Sequence, residues 1–168
     1  MAITIDNVSK DVPVDDWQEQ KVVDYNAIFA AMQAAWTPWT PTLANMTLGN
    51  GTVTAKFRQI GKLVHARFSF VLGSTSTVGT APTFTLPVTR AALPGTATLF
   101  PLGLLTAYDL SATTGYNGFV DNSSTTTTGL RIANASGTYL TFAAVTATIP
   151  FTWATGDEIH TEFFYEAA

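Results

Sequence analysis

The sequence predicts an all-β protein, an antiparallel jelly-roll-like β-sandwich preceded by one short N-terminal α-helix. Three observations lead there. Charged residues make up only 12% of the 168-residue chain, about half the ordinary share, and Thr, Ser, Asn and Gly fill the solvent-facing positions instead. Thr favours strands, because its β-branched side chain fits a pleated surface. Hydrophobic residues, at 46%, alternate with polar ones in short runs bounded by Gly, Asn and Pro over most of the chain, and a single stretch near the N-terminus has helical spacing.

Taken in order, the elements divide into an anchoring segment with a helical stem over residues 1–36 and a head domain over residues 37–168. The first stretch is acidic: Asp6, Asp11, Asp15, Asp16, Glu19 and Asp24 are six of the twelve carboxylates. A short strand is expected at Ala2–Ile5. Asp16 and Glu19 have the spacing of a capping box, and carboxylates at that end suit the helix dipole. Val22, Tyr25, Phe29, Met32 and Trp36 then step by 3, 4, 3 and 4, an a/d seam over two heptads. So short a helix is marginal alone in water. Its seam has to pack, either on the head of its own chain or against other copies as a trimeric stem. Bulky Tyr, Phe and Trp at the seam argue against a tight two-stranded coil.

Thr37-Pro38 and Thr40-Pro41 end the helix by forcing extended backbone. After the turn Gly49-Asn50-Gly51, Val53, Ala55 and Phe57 alternate with Thr54, Lys56 and Arg58. Ile60-Gly61-Lys62 reads as another turn. Val64, Ala66, Phe68, Phe70 and Leu72 then form one face of a long strand, with His65, Arg67 and Ser69 on the other. Further strands are expected near 83–88, 96–108, 116–121, 129–133, 138–149 and 158–165, giving roughly eight in all, with two sheets burying their facing apolar rows. The low-complexity run from Asn122 to Thr128 reads as a loop tip.

Several function classes are disfavoured. A net charge of -4 gives no basic face for nucleic acid. No apolar run approaches the roughly 18 residues a membrane span needs, and the N-terminal residues lack the regions of a secretion signal. The expectation is synthesis in a cytoplasm. With no cysteine, neither disulfides nor thiolate metal sites are available.

Catalysis needs convergent groups in a pocket, and the raw material is thin. His65 and His160 are the two histidines, and neither a G-x-S-x-G elbow nor a phosphate-binding Gly loop occurs. Glu158, His160, Glu162 and Glu166 share a strand face opposite Ile159, Phe163 and Tyr165. Residues two apart on a strand lie about 6–7 Å from each other, so a metal there needs ligands from elsewhere, and a solvated face is the plainer reading. Asp109 and Asp121 as a glycan-cleaving pair would need a defined separation, which nothing in the sequence fixes. No catalytic residue, metal or cofactor is expected.

Binding surfaces are better represented. Lys56, Arg58, Lys62 and Arg67 are half of the eight basic residues and form a candidate docking patch for an acidic segment or an anionic envelope; a charged edge that deters aggregation is the plainer reading. Tyr108, Asp109, Tyr116, Asn117 and Asp121 offer the rings and planar polar groups that sugar binding uses. Trp36, Trp39 and Trp153 are expected to be structural.

The stretch WTPWTPTLANMTLGNGTVTAKFRQIGKLVHARFSFVLGSTS, Trp36–Ser76, resembles the β-domain at the C-terminal end of many minor tail proteins from phages of actinobacteria. In that group a W-T-x-W/Y-T-P-T opening leads to a G-N-G-T strand, then R/K-Q-I/V-G-K and a Phe-rich strand. APTFTLPVT, Ala81–Thr89, matches the group's F-x-L-P segment. These are framework residues. The resemblance implies a virion location and trimeric appendages, hence a homotrimeric structural protein of minor tail, tail-tip or fibre type. Its partners would be itself, other virion proteins and a host-surface glycan. In that group the domain usually ends a much longer chain, whereas here about 35 residues precede it. That departure keeps open a capsid decoration or head-fibre protein anchored by its N-terminal segment, and a glycan-binding adhesin head.

Overall fold

The computed structural model describes residues 16–33, 35–93 and 99–168. The expected strand at Ala2–Ile5 and the acidic residues before Asp16 lie outside them, as do the side chains of the capping box. The chain divides into two compact units, Met1–Ala35 and Trp36–Ala168.

In the first unit, helix α1 spans Asp16–Met32, closed by a bond from the Gln33 amide to the Phe29 carbonyl (3.1 Å). Val22 and Phe29 are half-buried, while Tyr25 and Met32 of the same seam are exposed, as are Val23 and Ile28. The seam does not run on to Trp36. The Thr37-Pro38 pair forces extended backbone, and Trp36 belongs to the second unit.

The second unit is all-β. Its strands are β1 (Thr37–Pro38), β2 (Leu43–Thr47), β3 (Thr52–Ile60), β4 (Leu63–Val71), β5 (Thr77–Thr85), β6 (Pro101–Asp109), β7 (Thr114–Asp121), β8 (Thr127–Asn134), β9 (Thr141–Ala144) and β10 (Glu158–Glu166). All pairings are antiparallel. The jelly-roll expectation pictured two separate sheets. Hydrogen bonds instead join the strands in one path, β1-β3-β4-β10-β6-β7-β8-β5-β2, with β9 beside β8. β10 makes the difference, because it pairs with both β4 and β6 and so fuses the β3–β4 hairpin to the β6–β7 hairpin.

The path curls on itself. Phe68 of β4 and Phe84 of β5 stand far apart along it, yet their rings stack with centroids 4.2 Å apart, and Phe163 of β10 lies 6.0 Å from Phe84. Trp39 ties the two ends. Its amide donates to the Ala55 carbonyl of β3 (3.1 Å), and its indole Nε1 donates to the Thr85 carbonyl of β5 (3.3 Å). Inside the curl sit Val64, Phe68, Phe70, Leu105, Val120, Leu130 and Ile159, all at most 2% exposed.

Loop chemistry follows the sequence at the two early turns. Gly49 and Gly61 both have positive φ (54° and 57°), where a Cβ would be strained. The Asn50 carboxamide accepts from the Thr75 amide (2.9 Å) and donates to Ser74 Oγ (3.0 Å), pinning one loop to another. The polar run at 122–128 is only partly a loop tip. Thr127 opens β8, Thr128 is fully buried with its hydroxyl on the Asp121 carbonyl, and Asn122 accepts the Phe100 amide at 2.7 Å. The segment expected as one strand over 138–149 is the short β9 followed by a tight Thr146–Ile149 turn.

Candidate functional site

Strand alternation sends one residue of each pair into the curl and the next outward. On β10, Ile159, Thr161, Phe163 and Tyr165 are buried, while Glu158, His160, Glu162 and Phe164 face out. Register then builds two rows across the outer face. In the first, Thr54 opposes Ser69, Ser69 opposes His160, and His160 opposes Thr106. In the second, Lys56 opposes Arg67, Arg67 opposes Glu162, and Glu162 opposes Leu104.

Trp36 lies over one end of these rows. Its ring is 4.6 Å from the His65 ring, edge to face, with the Arg67 and Arg58 guanidinium carbons 4.7 and 5.3 Å from its centroid. His65 is in turn stacked on Phe164 at 4.1 Å. These contacts join cation–π attraction to aromatic packing and fix the indole in place. The histidine's hydrogen bonds name its tautomer. Arg58 Nε donates to His65 Nδ1 (3.3 Å), so Nε2 carries the proton it donates to Glu162 Oε1 (2.6 Å). Glu162 Oε1 also accepts from Arg67 Nε (3.0 Å) and Nη2 (2.8 Å). The Arg67 bonds first, then that of His65, hold the Glu162 carboxyl below its ordinary range.

Next to this cluster, Ser69 Oγ is 3.0 Å from His160 Nδ1, and His160 Nε2 is 2.5 Å from Glu158 Oε2. Nucleophile, base and orienter thus stand in the order that acyl transfer uses. The oxyanion donors of such a site are normally free backbone N–H groups. Here β4 and β10 are each paired on both sides, so their amides are engaged in the ladders. What the face presents is a set of fixed donors and acceptors beside an indole. No group of three or more His, Cys, Asp or Glu side chains is placed to share a metal ion among the described residues. Glu162 turns toward His65 and Arg67, away from the Glu158–His160 pair.

The sequence-predicted residues separate in the structure. Of the basic patch, Lys56, Arg58 and Arg67 converge around Trp36, whereas Lys62 sits at the hairpin turn with Glu166 (3.7 Å), both well exposed, an arrangement of little energetic weight. The candidate glycan set does not converge. Adjacent strand residues point to opposite faces, so Asn117 bonds Thr106 on the outer face (3.2 Å) while Tyr116 packs on Phe151 (5.3 Å) with the core. Tyr108 opposes Glu158 on the outer face. Asp109 caps its own turn, accepting from Ser111 Oγ (2.7 Å) and the Ala112 amide (3.0 Å), bonds that lower its carboxyl. Asp121 is buried against Arg131 Nε at 2.6 Å. Trp153 donates its indole N–H to the Thr146 carbonyl (2.9 Å) and packs tilted against Phe151 with ring centroids 4.5 Å apart, a structural post.

Sequence reasoning missed the row of Thr54, Ser69, His160 and Thr106. Alternation marks each as outward on its own strand, but only the insertion of β10 between β4 and β6 makes them neighbours. No family model, curated protein or solved structure matches the chain. No helix among the described residues is long and apolar enough to cross a membrane.

Proposed function

We propose that the chain is a non-enzymatic structural protein of a bacteriophage particle, a homotrimer of minor tail, tail-tip or fibre type. Its helical segment joins the copies and its β-unit supplies the projecting, adhesive surface. The observation that carries the self-association is the helix. Val23, Tyr25, Ile28 and Met32 are 54–60% exposed on a single chain, and a helix, here of 17 residues, draws most of its stability in a protein from a packed face. Neighbouring copies of the same helix would cover those side chains. The virion setting is supported by the framework residues between Trp36 and Thr89 that resemble phage minor tail β-domains.

Light scattering on the purified chain tests the assembly. The expected mass is three times the 17.9 kDa of one chain, falling to one chain mass in the double variant Val22→Asp, Phe29→Asp. An unchanged mass in that variant overturns the trimeric stem. Immunogold labelling of virions tests the setting. Gold at the tail end supports the tail or fibre reading. Gold over the head replaces it with a capsid decoration protein, and unlabelled particles refute both.

A further inference from the structure

The two rows on the outer face enclose a groove of about 590 Å³, within the range of small-ligand sites. Trp36 and Leu104 form apolar walls, and Thr54, Ser69, Thr106 and His160 supply hydrogen-bonding groups between them. We propose that this groove binds a carboxylate-bearing sugar, a uronic acid unit of a glycan, with Lys56 pairing the carboxylate.

The charges lead to the acid. Arg67 and Glu162 answer each other, and His160 is bonded to Glu158. Lys56 has no ion pair among the described residues. It also stands directly across from Arg67, and like charges in opposed positions repel. A bound monoanion relieves that repulsion and gains a charge-assisted bond. A phosphate dianion would ask for a second free cation, and Arg67 is already committed to Glu162.

The sugar follows from the rest of the lining. The row of three hydroxyls and one imidazole places a polar group at each strand spacing, about 4.8 Å, which is comparable to the span of a pyranose ring. An indole and a leucine wall suit the C–H faces of such a ring, and Leu104 is 74% exposed. The groove is also preformed. β4 and β10 are each paired on both sides, and Trp36 is clamped by two guanidinium groups, so little ordering entropy is lost on binding. This inference concerns the β-unit alone and stands whether or not the chain belongs to a phage particle.

NMR titration of the full-length protein with digalacturonate, with lactose as the neutral probe and inorganic phosphate as the anion probe, tests the proposal. Digalacturonate is expected to shift the Trp36 indole N–H saturably at millimolar concentration, with lactose and phosphate binding more weakly. Lys56→Ala is expected to weaken digalacturonate by about tenfold or more with no loss in melting temperature, since it also removes the repulsion from Arg67, and Lys56→Arg to retain most of the affinity. Equal binding of lactose overturns the acidic selection, and equal binding of phosphate reduces the groove to a general anion site. Absence of saturable shifts, or full affinity in Lys56→Ala, overturns the site itself.

Discussion

Consider Phe84 replaced by alanine. Phe84 is fully buried on β5, and its ring stacks on Phe68 of β4 at 4.2 Å with only 10° between the planes. Truncating a buried Phe costs about 3–5 kcal/mol through lost transfer energy and the cavity left behind. The ring pair adds about 0.5–1.5 kcal/mol of that. For a β-unit of about 130 residues, each kcal/mol lowers the melting temperature by about 3–4 °C, so the expected drop is about 9–20 °C. Urea unfolding followed by tryptophan fluorescence measures the loss as a change in midpoint at constant slope. A double-mutant cycle with Phe68→Ala then isolates the pair, with an expected coupling of about 0.5–1.5 kcal/mol. A cost below about 1 kcal/mol for Phe84→Ala, or strict additivity in the cycle, would mean that these distant strands do not meet and that the sheet does not curl as described.

Two further substitutions probe polar groups. The Tyr165 hydroxyl donates to the Val88 carbonyl (3.0 Å) and accepts from the Val88 amide (3.3 Å), and burial pushes its phenol up to about 12. Because the folded value lies above the ordinary one, this contribution to stability is complete below about pH 10 and is lost as pH rises from there toward the folded value. Tyr165→Phe should cost about 0.5–1.5 kcal/mol at neutral pH and flatten the alkaline fall in unfolding free energy; an alkaline limb identical to wild type refutes the assignment. Asp121 is 3% exposed at its side chain and accepts from Arg131 Nε (2.6 Å) and the Gly129 amide (3.0 Å). Asp121→Ala strands both donors and should cost about 3 kcal/mol. A loss under about 1 kcal/mol in urea would show that Arg131, already 28% exposed, simply turns to solvent.

Strand faces were the most legible part of the chain. The alternations at Val53–Arg58, Val64–Leu72 and Glu158–Tyr165 foretell most of the side chains that β3, β4 and β10 bury, because a period of two needs no knowledge of neighbours. His65 is the exception, expected on the polar face of β4 but buried against Trp36 and Phe164. The end of α1 was legible in outline from Thr37-Pro38, yet the seam was carried one step too far. Trp36 keeps heptad spacing but finds His65 and two arginines on the sheet. Tyr108, Tyr116 and Asp121 illustrate the opposite failure. Closeness in sequence made them look like one site, whereas alternation and the pairing of buried Asp121 with Arg131 disperse them. The groove depends on strand order, which rests on contacts between residues nearly a hundred positions apart, such as Ser69 with His160. Local pattern carries no record of such pairings.

The central seat of β10 has a consequence for how the chain is made. Synthesis delivers the β3–β4 and β6–β7 hairpins long before residues 158–166 leave the ribosome, and until then the edges of β4 and β6 that β10 will join are open. Non-local pairing of this kind is slow and leaves unpaired strands vulnerable to the wrong partner. A nascent chain stalled before Glu158 therefore holds two hairpins with matching free edges, each a template for a neighbouring nascent chain on the same polysome.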